Sequence, residues 1–111
     1  MSVTVKDFLD SARPLVESDV EIGYRNAISR AYYSAFLWAR SYVESCNTIP
    51  HDVIIKGSHD EVITRYLHHG DTSGKSIAYQ LTAFKRRRCI ADYDLDSSIA
   101  KREAVSAIAD A

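Results

Sequence analysis

Proline and glycine are scarce in this chain, with two prolines and four glycines among 111 residues. Few segments alternate apolar and polar residues with period two. These shortages argue against a turn-rich sheet protein and for helices. Cysteine is scarce too. Cys46 and Cys89 are too few for a disulfide scaffold and lack metal-ligand spacing. Both fall in helix-like segments, where cysteine is usually a small buried hydrophobe, and a reducing cytoplasm is the simplest setting. No apolar run approaches the roughly 18 residues that span a bilayer, so no membrane association is expected. The segment Met1 to Asp7 has no long apolar stretch and is not expected to be a signal peptide. Charge of one sign is also lacking: 14 Lys and Arg face 15 Asp and Glu, a net of -1. That balance excludes a polycation and a disordered acidic tail.

What remains is an ordinary globular mix, 46% hydrophobic and 26% charged, sized for a single domain over residues 1–111. Thr4 is placed to cap a first helix, with Asp7 three residues on near its positive end. That helix is expected to reach about Ser18, kinked or interrupted at Pro14. A long second helix is expected from about Val20 to Asn47. Ile28, Tyr32, Ala35, Ala39, Tyr42 and Cys46 step by four and three along it. Beside that seam Ala27, Ala31, Ala35 and Ala39 form a small-residue stripe that admits a close neighbour.

Asn47 to Gly57 reads as a loop, and Ser58 with Glu61 as a capping box for a short third helix ending at Gly70. A fourth helix starts near Thr72 or Ser73, with the stripe Ile77, Leu81, Phe84, Arg88 and Ala91. Asp94 to Asp96 reads as a loop. A last helix is expected to be capped by Asp96 or Ser97 and to bury Ile99 or Ala100, Ala104, Ala107 and Ile108. The expected fold is all-α, an antiparallel up-and-down bundle of about five helices.

Gly70-Asp71-Thr72-Ser73-Gly74-Lys75-Ser76 has the look of a phosphate loop but fails its test. The motif needs four residues between its glycines and a preceding strand; here there are three, after a helix. His51, His59, His68 and His69 show no ligand spacing, so neither a metal nor another cofactor is expected.

Cations gather on two helices. Thr72 to Tyr93 holds Lys75, Lys85, Arg86, Arg87 and Arg88 against Asp92 alone, and Ile22 to Val43 holds Arg25, Arg30 and Arg40 with no acid. Packed together, two such helices make one positive side that attracts nucleic acid despite the neutral total. Arg25, Arg30, Lys85, Arg86 and Arg87 are the candidates for binding nucleic acid or phosphate. Tyr24, Tyr32, Tyr33, Tyr79 and Tyr93 share these helices and could stack on bases, although most are expected in the core. Lys85 to Arg88 span every face of a helix at about 100° per residue. The apolar stripe turns Arg88 inward, either to pair with Asp92 one turn on or to face a phosphate from a cleft or subunit interface.

The run Tyr24-Arg25-Asn26-Ala27-Ile28-Ser29-Arg30-Ala31-Tyr32-Tyr33-Ser34-Ala35-Phe36 resembles the first signature of the HEPN superfamily, in its small UPF0332-like branch. Gly57-Ser58-His59 and Arg88-Cys89-Ile90-Ala91-Asp92-Tyr93 resemble the second and third, in order. The resemblance implies a dimerising helical bundle. It also implies a metal-independent ribonuclease, often the toxin of a toxin–antitoxin or phage-defence system, with a minimal nucleotidyltransferase as partner. By the same resemblance Arg88 matches the catalytic arginine, and Asp92 and Tyr93 occupy the rest of the site. Tyr93 stands where that family's catalytic histidine is expected.

The departure matters because cleavage through a 2′-hydroxyl needs proton transfer near neutral pH. Histidine titrates at about 6.5 and tyrosine at about 10. Arg88 could still stabilise a phosphorane. The expectation is an RNA- or nucleotide-directed module; the alternative is a non-catalytic dimeric module binding a nucleotidyltransferase or other protein. A helix-turn-helix DNA reader around Gly70 ranks last, because its cations would sit at the wrong end of the recognition helix.

Overall fold

A computed structural model describes residues 2–45, 58–67 and 72–111. Among them the fold is all-α, a bundle of five helices with no strand. They are α1 (Val5–Glu17), α2 (Glu21–Ser45), α3 (Ser58–Leu67), α4 (Thr72–Tyr93) and α5 (Lys101–Asp110). Cys46, the Asn47 to Gly57 loop, His51, His68, His69 and the Gly70 turn lie outside the described residues, as do the side chains of the Ser58 and Glu61 box. No described helix is long and apolar enough to cross a membrane.

The chain folds as two compact units, Met1–Ala35 with Phe84–Ala111, and Phe36–Ala83. In the first unit, α1 begins as its sequence requires. Thr4 Oγ1 accepts from the Asp7 amide at 3.3 Å, and the Asp7 carboxylate accepts from the Thr4 amide at 2.7 Å. This reciprocal box satisfies two otherwise orphaned donors and is worth about 1 kcal/mol. Pro14 lies within α1, which runs on to Glu17. Asp19, at φ 55°, turns the chain into α2 in the left-handed conformation that terminates helices. Lys101 at the start of α5 donates to its carboxylate at 2.8 Å.

Gly23 allows α2 to leave that turn tightly. A Cβ there would stand 2.5 Å from the Leu15 carbonyl oxygen and collide with the Ser18 hydroxyl oxygen. Further along α2, Ala27 and Ala31 are fully buried, as the small-residue stripe requires, and Ile28 and Tyr32 join them in the core. Ser34 Oγ donates to the Val5 carbonyl at 3.1 Å, tying α2 to the start of α1. Against α2 runs α4, antiparallel: Arg25 meets Ala91 and Asp94, while Tyr32 packs edge-on against Phe84 with ring centroids 5.8 Å apart. α5 packs on α1, and its Ala104 and Ala107 are buried.

The start of α5 corrects the sequence reading. Neither Asp96 nor Ser97 is the cap; Ala100 is, and it has no side-chain oxygen to offer. Glu103 reaches back to accept from the Ala100 amide at 2.8 Å. Ser97 is diverted, its hydroxyl donating to Asp94 at 2.6 Å. Of the residues expected inside, Ile99 is buried, Ile108 is half-buried and Ala100 is exposed.

In the second unit, Phe36, Ala39, Val62, Tyr66, Ala78 and Leu81 are buried. Tyr66 is among the most enclosed, and its hydroxyl donates to the Ala39 carbonyl at 2.9 Å, as a buried phenol must find a partner. His59 lies on Phe36, ring centroids 4.2 Å apart. Tyr42 departs from the expected seam. It is 53% exposed and stacks on Trp38 at 5.7 Å, away from the core its spacing suggested.

Candidate functional site

The four consecutive cations near the end of α4 separate by face, as 100° steps dictate. Arg86 is exposed and Lys85 half-buried. Arg87 lies over the Phe84 ring at 5.0 Å and pairs with Asp110 at 2.9 Å, so its charge is spent within the fold. Arg88 turns inward. Its side chain is 15% exposed, and Nε lies 2.8 Å from Asp92 Oδ2. The approach is close but poorly aligned for a hydrogen bond, which makes it an ion pair first.

Three further residues complete the cluster. Arg88 Nη2 donates to Tyr33 Oη at 3.0 Å. Its guanidinium carbon lies 5.3 Å from the Tyr33 ring centre and 5.4 Å from that of Tyr93. Both are within cation–π range. Ser29 Oγ donates to Asp92 Oδ2 at 3.2 Å, so one carboxylate oxygen serves both a hydroxyl and the guanidinium. Withdrawal from solvent works against the Arg88 charge, but Tyr33, Asp92 and Tyr93 together hold its pKa above the ordinary value. Tyr93 is 69% exposed and forms the open side of the cluster.

The arrangement keeps a permanent cation against two aromatic rings. That suits an anion held in plane by the guanidinium fork, with an aromatic surface alongside for a base. Phosphate would compete with Asp92 and the Tyr33 hydroxyl for the same donors. Among the described residues no three His, Cys, Asp or Glu side chains assemble into a metal-binding group.

Arg88, Asp92 and Tyr93 thus stand together, while the five cations named for phosphate binding do not share one role. Arg25 is buried. Its Nη1 donates to the carbonyls of Ala91 at 3.1 Å and Asp94 at 2.8 Å, and Nη2 to that of Ser97 at 2.5 Å. Glu21 flanks it at 3.4 Å. It therefore caps the carbonyl end of α4 and the loop beyond, a task complementary to the negative end of a helix. Arg87 binds α5. Arg30 and Arg86 are exposed, with no ionic partner among the described residues.

Sequence reasoning did not single out Ser29, and it treated Tyr33 only as one of several tyrosines. Their spacing of four on α2 is the available signal, since it puts both on one face. Comparison with known proteins finds no matching family model, curated protein or solved structure.

Proposed function

We propose that this chain is a HEPN-like module directed at RNA, and that it holds the RNA at the Arg88 cluster. One observation carries the reading: a partly buried arginine lies within cation–π distance of both Tyr33 and Tyr93, with one of those rings open to solvent. Structural ion pairs need no aromatic ring left exposed beside them. A site for phosphate and base does, because stacking on such a ring is worth about 1–3 kcal/mol per base. Arg30 and Arg86 supply unpaired charge on the same two helices for longer-range attraction. The proposed setting is the cytoplasm.

The cluster contains no histidine, so binding is the primary activity in this reading. Ribonuclease toxicity enters as an outcome of the test. Fluorescence anisotropy with a single-stranded RNA should show affinity falling steeply as salt rises. Arg88→Ala should weaken binding at least tenfold, whereas Arg30→Ala with Arg86→Ala should mainly flatten the salt dependence. Expression that arrests growth, relieved by Arg88→Ala, would extend the reading to a toxin. Absence of any salt-dependent complex would overturn it.

A second reading has its own observation. Ile22, Tyr93 and Leu95 are 64%, 69% and 82% exposed in the first unit. Apolar exposure of this kind suits a protein partner, either a second copy or a nucleotidyltransferase. A stable complex that survives high salt and is lost on Leu95→Asp would favour that reading.

A further inference from the structure

The first unit contains a cavity of about 570 Å³ that shares no residue with the Arg88 cluster. It is lined by Ile28 of α2, Arg87 and Ile90 of α4, the segment 97–99 and the first turns of α5. The volume is within the range of small-molecule sites, roughly 300–1,000 Å³.

Its lining is chemically mixed. Ile28, Ile90 and Ile99 supply the apolar part; Ile28 and Ile99 are buried and Ile90 is 40% exposed. Arg102, Ser98 and Ser106, all exposed, supply the polar part. Among the described residues none of these three side chains has a hydrogen-bond or ionic partner. Arg87 pairs with Asp110, and the Glu103 carboxylate keeps its negative charge while accepting from the Ala100 amide. The cavity therefore presents the Arg102 guanidinium and two serine hydroxyls without partners among the described residues, together with three isoleucines.

The geometry points to a binding site for a small amphipathic organic anion, with a carboxylate or phosphate head on an aliphatic body. The head would take the Arg102 fork and the serine hydroxyls, and the body would cover the isoleucine wall. Arginine matches both heads because each offers two coplanar oxygens. The apolar body adds affinity by covering apolar surface.

Titrations followed by amide NMR shifts test this with hexanoate, hexyl phosphate, hexylamine and inorganic phosphate as probes. One or both of the first two should bind saturably, with shifts centred on Ser98, Ile99 and Arg102. Whichever saturates identifies the preferred head. Hexylamine should not bind, and inorganic phosphate should bind at least tenfold more weakly than the organic anion. Arg102→Gln should weaken the organic anion at least tenfold, and Ser106→Trp should abolish its binding by filling the space. Lys6→Gln, on an exposed cation outside the cavity, should leave the affinity for the organic anion unchanged. Each variant should keep the parent helical signal and melting temperature. Equal binding of hexylamine, equal binding of inorganic phosphate, indifference to Arg102→Gln, or no saturable binding of either organic anion would each overturn the assignment.

Discussion

Arg88 and Asp92 are bound to each other across one turn of α4, with 2.8 Å between Nε and Oδ2. The carboxylate occupies the guanidinium edge that an incoming phosphate would want. Asp92 is thus an internal competitor for any anionic ligand of Arg88. Asp92→Asn should tighten single-stranded RNA binding by about three- to tenfold, since a charge-assisted contact is worth about 1–2 kcal/mol. The same change should cost stability of similar size, read from the urea midpoint. Unchanged or weaker RNA binding by a folded Asp92→Asn protein would assign the pair to structure alone.

Arg25 should matter for stability before it matters for any ligand. Arg25→Met keeps much of the volume but leaves the carbonyls of Ala91, Asp94 and Ser97 without their donor. The expected loss is about 3 kcal/mol in urea unfolding, on the scale of breaking a buried charged contact. Arg25→Lys should recover only part of it, because the ammonium's donors radiate from one nitrogen and cannot span the positions that Nη1 and Nη2 hold.

Gly23→Ala should destabilise by about 1–3 kcal/mol, as overpacking does. Alanine normally stabilises a helix interior by about 1 kcal/mol over glycine, so the sign itself is the test. A rise in melting temperature would mean that the turn between α1 and α2 gives way easily.

Acid should weaken the fold through Asp19 and Asp94. Lys101 holds Asp19 below the ordinary aspartate value of 3.8, and the Ser97 hydroxyl does the same for Asp94. Each contribution is present above the unfolded value and fades as pH falls through the depressed folded one. Lys101 behaves in the opposite direction. Asp19 raises it above 10.5, so its contribution holds below that value and is lost at more alkaline pH. Urea midpoints across pH should show the acid-side loss shrink in Asp94→Asn and the alkaline-side loss shrink in Lys101→Gln. All three groups are exposed, so salt should blunt the effects.

The helices were legible where their signals are local. Thr4 and Asp7 mark a start because both halves of the box lie within three residues. The Ala27 and Ala31 stripe marked a buried face by spacing alone. The Arg88–Asp92 pair was legible as an i, i+4 match. Ala100 as a cap was not, because only the Glu103 half of a capping box is present, alanine has no side-chain oxygen to signal the other half, and Ser97 is turned to Asp94. The role of Arg25 was also hidden. Its partners are backbone carbonyls 66 to 72 positions away, and a carbonyl carries no side-chain signature. Tyr42 misled because its spacing follows the seam although its ring lies outside the core.

The reach of Arg25 has a consequence for synthesis. A ribosome makes this arginine long before Ala91, Asp94 and Ser97 exist to receive it. Until residues 91–97 emerge, a guanidinium destined for burial must stay hydrated, and the nascent α2 cannot settle against its final neighbour. The first unit therefore closes only when the carbonyl end of α4 arrives. A ribosome stalled before that point would present a chain with helices but without the contact that ties the start of α2 to the end of α4.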